Sequence, residues 1–209
     1  MHLVASDLTI LRGERAVIPD LSFKVSAGEA LILTGANGSG KTTLIRSLAG
    51  LLKPSRGTLR LEDGDARRSL AEQCHYVGHR SALKPALTVL ENVTFWSQYF
   101  ADDNHGRLPS SGGAALDSFG LRELSDIPAG YLSAGQKQRA GLARLLLTHR
   151  PVWLLDEPTA SLDAASQGVL EAVIDRHLLA GGLAVIATHQ PLDIVNQFEL
   201  RLDAAMEDE

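Results

Sequence analysis

Residues 35–42 read Gly-Ala-Asn-Gly-Ser-Gly-Lys-Thr, the pattern G-x-x-x-x-G-K-[ST]. Those residue types at that spacing suit the holding of phosphate. Gly35, Gly38 and Gly40 let the backbone wrap closely around phosphate oxygens, and Ala36, Asn37 and Ser39 between them contribute inward-pointing N–H groups. A helix opening directly behind the loop adds about half a positive charge. Lys41 supplies a full charge for the β- and γ-phosphates. The Thr42 hydroxyl is placed to ligate Mg²⁺, and Thr43 is near enough to touch a phosphate. The chemistry expected here is binding of a nucleoside triphosphate.

A second group complements the first. Val152-Trp153-Leu154-Leu155 is an apolar run ending in Asp156 and Glu157. A strand of that kind delivers its last residues to the ligand crevice of an α/β sheet. Asp156 would hold Mg²⁺ through its water shell, and Glu157 would orient or deprotonate an attacking water. A third group, Leu132-Ser133-Ala134-Gly135-Gln136, leads into a helix. Ser133 is an N-cap in any reading. The same helix N-terminus is also a second anion site. One bound nucleotide cannot easily use two separated helix N-termini of one chain. A head-to-tail pair of chains solves this, each capping the γ-phosphate bound by the other.

The elements needed to position these groups can be read along the chain. Leu8–Ile10, Ala16–Ile18 and Leu21–Val25 are short β-forming stretches broken by turn residues, which predicts antiparallel strands. Ala30–Thr34, Val152–Leu155 and Leu183–Thr188 are continuous apolar runs, suited to strands buried on both faces of a parallel sheet. Helices are predicted over Thr42–Leu52, Leu90–Phe100, Ala114–Ser125, Gln136–Leu147 and Ala164–Leu179, with a polar Gly/Ser/Pro-rich loop over Asp102–Gly113. The expected fold class is α/β: a P-loop core with a parallel sheet, an N-terminal antiparallel β-subdomain and a helical subdomain. As a single domain over 1–209, it has its core and β-subdomain in 1–68 and 150–209, and its helical part in about 69–149.

Composition limits the partners. Twenty Lys and Arg against 25 Asp and Glu give a net charge of −5. Proteins that live on phosphate-backbone neutralisation carry the opposite sign, so no nucleic-acid partner is expected. No apolar run approaches the roughly 20 residues of a membrane span. A lone cysteine, Cys74, excludes an internal disulfide. Cys74, His75 and His79 lie close in sequence, but they are too few for a tetrahedral metal site, and direct haem binding is not expected.

In order and spacing, the phosphate loop, Leu132–Gln136, Leu154–Glu157, Ser161-Leu162-Asp163 and His189 resemble the ATP-binding proteins of the ABC transporter family. The resemblance covers nearly the whole chain. It implies a RecA-like core, ATP hydrolysis with Mg²⁺, and an ATP-bound homodimer. It also implies that His189 contacts the γ-phosphate, that Asp163 lines the dimer seam, and that Leu132–Gln136 act in trans. Val77-Gly78-His79, Leu87–Asn92, Asp126-Ile127-Pro128 and Thr188–Leu192 are similar to the ATP-binding subunits of cytochrome c biogenesis haem exporters. That similarity implies transmembrane permease partners and a peripheral place on the cytoplasmic side of the bacterial inner membrane. A cassette for another exporter, of drugs or lipids, and a soluble non-transport ABC ATPase are the alternatives.

Two positions depart from the family pattern. The glutamine that usually touches the metal and the attacking water is replaced by His79, or by Arg80 if the register moves by one. His79 either hydrogen-bonds water or is a polar loop residue facing the membrane partner. The aromatic residue that usually stacks on adenine is replaced by Arg12, whose guanidinium either stacks on the base or is a solvated turn charge.

Overall fold

The structure is a computed structural model and describes residues 1–100 and 111–202. Eight strands and five α-helices are assigned among the described residues. They are β1 (His2–Arg12), β2 (Arg15–Ser26), β3 (Ala30–Thr34), α1 (Lys41–Leu48), β4 (Arg56–Glu62), β5 (Cys74–Val77), α2 (Val89–Tyr99), α3 (Gly112–Ser118), α4 (Ala134–Ala143), β6 (Val152–Asp156), α5 (Ala164–Leu179), β7 (Leu183–Ala187) and β8 (Gln197–Arg201). Their contacts group into two units. The first takes Met1–Tyr76, Arg150–Glu157 and the chain from Ile174; the second takes Val77–His149 and Pro158–Val173.

The first unit is built on two sheets. One is antiparallel, ordered β2-β1-β4; the other has the order β5-β6-β7-β3-β8, with β6, β7, β3 and β8 joined in parallel. Every residue of β6 and β7 is buried, as continuous apolar runs require. Leu154 pairs with Val185, which pairs in turn with Leu31; one step toward the carboxyl edge, Leu155, Ile186 and Ile32 align likewise. This register brings the ends of β6, β7 and β3 out side by side, where the loops carrying the chemistry begin. Leu3, Leu8, Ile10 and Val25 from the antiparallel sheet join Leu31, Leu33, Leu154 and Val185 and the inner face of α1 (Leu44, Ile45, Leu48) in one apolar cluster. At the far end of β6, Trp153 stacks on His177 with ring centroids 3.9 Å apart, and His177 Nε2 lies 3.2 Å from the Leu183 carbonyl oxygen.

The second unit is helical. Thr88 caps α2 through its hydroxyl, which accepts from Glu91 N, while the Glu91 carboxylate accepts from Thr88 N. The buried Asn92 side chain accepts from Lys84 N and donates to the carbonyls of Lys84, Leu87 and Thr88. The stretch Leu87–Asn92 therefore both starts the helix and pins the loop before it. Arg144 sits over the Trp96 ring at 5.2 Å.

The two-sheet α/β architecture matches the expected fold class, while several element limits differ. The separate N-terminal stretches fuse into two long strands, β1 and β2. β4, β5 and β8 were not predicted: β4 and β8 carry polar residues on exposed positions and only a few apolar ones. The helix expected over Ala114–Ser125 ends at Ser118, where the chain turns with Leu121 N donating to Leu116 O. Only a single tight turn, Arg122–Leu124, follows. α4 ends at Ala143 and tightens into a short turn before Pro151, and α1 stops at Leu48. Of the loop expected over Asp102–Gly113, residues 102–110 lie outside the described residues, and Gly112 and Gly113 begin α3.

Cys74 ends up inside the first unit, 4 % exposed, its thiol donating to the Leu70 carbonyl at 3.0 Å. Burial pushes the thiol up to about 12, against a smaller opposing pull from Arg150. Only the thiolate reacts with iodoacetamide, so a rise of about three pKa units should slow alkylation of the folded chain by about 10³-fold relative to the unfolded one. The folded pKa is raised, so this group's contribution to stability is intact below about pH 9 and is lost as the pH climbs toward 12. Mass spectrometry after timed alkylation, with and without urea, checks it; rapid labelling of the native chain at pH 8 would contradict this burial.

Candidate nucleotide-binding and hydrolysis site

The site in the first unit grows from three neighbouring strand ends. β3 runs into the loop Gly35–Gly40, and α1 begins at Lys41. Gly35 has φ +131°, and a Cβ there would lie 2.2 Å from the Leu202 carbonyl oxygen. Any side chain at that position would force β8 and the loop apart. Lys41 folds back across the loop, its ammonium donating to Gly35 O at 2.7 Å and Ala36 O at 3.0 Å. Two of its three protons are thereby used to fix its direction. Ser39 is 1 % exposed, and its hydroxyl oxygen has no partner among the described residues.

β6 contributes the carboxylates. Thr42 Oγ1 donates to Asp156 Oδ1 at 3.0 Å. The other oxygen, Asp156 Oδ2, is buried without a hydrogen-bond partner among the described residues. A buried carboxylate oxygen left open beside a threonine hydroxyl fits a hard divalent cation or a water held by one. Among the described residues, no three His, Cys, Asp or Glu side chains converge to cage a metal by themselves. Glu157 follows in the left-handed region, φ +52°, its N–H donating to Ala187 O at 2.8 Å. A non-glycine residue held there stores strain of order 1–3 kcal/mol, a cost met at functional positions where the surroundings fix the geometry. β7 contributes the third part: past buried Thr188, His189 is exposed and its Nε2 lies 3.4 Å from Glu157 Oε1.

These groups line one cleft of about 610 Å³. Asn37, Gly38, Gly40, Lys41, Thr42, Thr43, Glu157 and His189 form part of its wall, and Arg12, Arg15, Val17 and Arg46 the rest. Two arginines, Arg12 and Arg15, face each other across the β1–β2 turn. Four cationic side chains against the single carboxylate of Glu157 make the cleft a receptor for a polyanion. Arg15, Val17 and Arg46 escaped sequence reasoning, since nothing in their spacing ties them to the phosphate loop.

The other predicted residues lie in the second unit. Leu132 is buried, Ser133 is the N-cap of α4, and Gln136 closes a capping box with it (Gln136 N to Ser133 Oγ 3.2 Å, Ser133 N to Gln136 Oε1 2.8 Å). Ala134 and Gly135 form the first turn. A Cβ on Gly135 would meet the Ser161 carbonyl oxygen at 2.6 Å, so glycine is what lets that loop pass. Asp163 caps α5, accepting from Ser166 N at 2.8 Å; the Ser166 backbone and hydroxyl, with Arg139 adding charge, hold its carboxyl below the usual range. His79 and Arg80 are both exposed.

The chain is similar to known proteins along nearly its whole length. The family model described as "ABC transporter" matches residues 18–160. The cytochrome c biogenesis ATP-binding export protein CcmA of Rhizobium etli is 47 % identical over 204 residues, covering 97 % of this chain and 94 % of that protein. CcmA of Rhodopseudomonas palustris is 45 % identical over 205 residues, covering 98 % of this chain and all of that protein. Among solved structures, an ABC transporter ATP-binding protein of Pyrococcus furiosus superposes with a TM-score of 0.79 at 18 % identity, over 97 % of this chain and 98 % of the other. An ATP-binding subunit of an ABC transporter gives 0.77 at 25 % identity, over 90 % and 80 %. Among the described residues, no helix is long and apolar enough to cross a membrane. A phosphate loop, a buried Asp beside its threonine and a Glu–His pair on one cleft thus coincide with sequence identity along nearly the whole length: this chain belongs to the ABC transporter family, as an ATP-binding protein with ATPase activity.

Proposed function

We propose that this chain is the ATP-hydrolysing subunit of a membrane export complex serving c-type cytochrome biogenesis, where it powers haem delivery or release. The observation that carries the ATPase part is the convergence of Lys41, Thr42, Asp156, Glu157 and His189 on one cationic cleft. The export part is supported by relatives named for it at 44–47 % identity over nearly the full chain.

In this reading the backbone N–H groups of residues 35–43 and the Lys41 ammonium hold the triphosphate, and the Ser39 hydroxyl adds a donor. Thr42 and Asp156 hold Mg²⁺, which when bound offsets charge on the phosphate oxygens. Glu157 accepts a proton from the attacking water and orients it in line with the γ-phosphate. His189 donates toward that phosphate and steadies the Glu157 carboxylate. Two chains pair head to tail around two ATP molecules. Leu132–Gln136 of each chain then present the α4 N-terminus to the nucleotide of the other, and Asp163 lines the seam. Hydrolysis resets the pair. Transmembrane permease subunits carry the motion across the inner membrane, with this chain peripheral on the cytoplasmic side and His79 facing them.

The test is complementation. In a bacterium deleted for its own cytochrome c biogenesis ATP-binding export protein, the chain should restore haem-stained c-type cytochromes and co-purify with integral membrane subunits. An expressed, ATP-hydrolysing chain that restores no cytochrome would defeat the export reading and leave the ATPase reading standing.

A further inference from the structure

Of the Thr188–Leu192 stretch, the nucleotide cleft uses only His189. The stretch as a whole shapes a second cavity in the first unit, of about 510 Å³, a size suited to a small molecule. This cavity opens beside the carboxyl ends of β7 and β3, against the edge strand β8. Its wall is held by its own hydrogen bonds. Gln190 N donates to Thr188 Oγ1 at 3.0 Å, closing a tight turn behind β7, and Gln197 Nε2 donates to Leu192 O at 2.8 Å, tying the loop to β8. The cavity is therefore formed before any ligand arrives.

The lining sets what can bind. Ile32, Pro191, Leu192 and Phe198 supply apolar surface. Glu199 is the one carboxylate among the described residues that line the cavity, and no Lys or Arg is among them. The Thr34 hydroxyl donates to Glu199 Oε1 and so fixes that carboxylate against β3. The nucleotide cleft, by contrast, is lined by Arg12, Arg15, Lys41 and Arg46. The two cavities thus have opposite polarity, and His189 lines both. A carboxylate beside an aromatic ring and aliphatic surface suits an organic cation: the charged head takes the carboxylate, and the body takes the apolar wall. We propose that this cavity is a second ligand site, which takes a small organic cation with a flat apolar body, and that its occupant slows hydrolysis through His189. On the nucleotide side, His189 Nε2 stands 3.4 Å from Glu157 Oε1. An occupant packed against the imidazole limits how it can turn toward Glu157 and the γ-phosphate. The binding half stands on the second cavity alone; the kinetic half rests on the nucleotide-hydrolysing reading of the first.

The probe is para-aminobenzamidine, an amidinium on a flat ring whose emission rises in apolar surroundings. Titrated into the full chain at fixed ionic strength, it should saturate with a midpoint of about 1 mM, within reach of a ligand of about ten non-hydrogen atoms. Saturating ATP and Mg²⁺ should move that midpoint by less than about tenfold, since the two ligands occupy different cavities. The uncharged para-aminobenzamide should compete at least about tenfold more weakly than the amidine. Glu199→Gln, which keeps an oxygen for the Thr34 hydroxyl, should weaken the amidine by about the same factor. The comparison of the two probes uses the wild-type chain, so it stands even if the variant fails to fold. At saturating ATP the bound amidine should lower phosphate release about threefold or more. No saturable binding, displacement of the probe by ATP, equal competition by the amide, or undiminished turnover with the probe bound would each overturn the proposal, as would full affinity in folded Glu199→Gln. Absence of hydrolysis by the wild-type chain would instead overturn the nucleotide-hydrolysing reading, while the titration still decides the cavity.

Discussion

Glu157→Gln should bind ATP with near wild-type affinity and lose about 10²–10⁴-fold in steady-state hydrolysis, the usual worth of a positioned general base. The substitution keeps the size and planarity of the side chain. The backbone N–H of residue 157 donates to Ala187 O, a bond the substitution leaves in place, so the left-handed turn there should survive. What disappears is the proton acceptor and the negative partner of His189, 3.4 Å away. Phosphate release measured alongside nucleotide binding separates the two effects. Turnover equal to wild type would show that another group accepts the proton.

Lys41→Ala should abolish useful nucleotide binding, raising the dissociation constant by about 10²-fold or more, since charge-assisted bonds to phosphate in a partly desolvated loop each contribute a few kcal/mol. Lys41 is 8 % exposed and braced by two loop carbonyls. Its removal therefore leaves Gly35 O and Ala36 O without their donor as well as the phosphates without their cation. A modest loss of stability should accompany the loss of binding, about 1–2 kcal/mol in chemical denaturation. Retention of wild-type affinity would mean that the arginines of the cleft, not Lys41, carry the phosphate charge.

The chemistry was legible where it is local. The phosphate loop, Asp156-Glu157 and the Ser133 cap are each contiguous in sequence, and each depends on a backbone shape that a few residue types dictate. The three parallel strands could be read because strands buried on both faces leave unbroken apolar runs. β4 and β8 do alternate, with Leu59 and Leu61 in one and Phe198 and Leu200 in the other, but two apolar residues each make the pattern too short to stand out. Arg15 and Arg46 were hidden for a different reason: one sits on a hairpin and the other a turn beyond the phosphate loop, and only tertiary folding brings both to the same cleft. Asn92 lay inside a recognised stretch, yet its four bonds to the preceding loop become visible only in the structure.

The chain has two tryptophans. Trp153 lies in the first unit, face to face with an imidazole, and Trp96 in the second, beneath a guanidinium. Nature has thus placed one intrinsic fluorophore in each half, each against a neighbour that can alter its emission. Replacing either by phenylalanine leaves a single reporter. A thermal melt followed in the two single-tryptophan proteins would read whether the halves lose their structure together or in sequence, and nucleotide added to each would show which half it steadies.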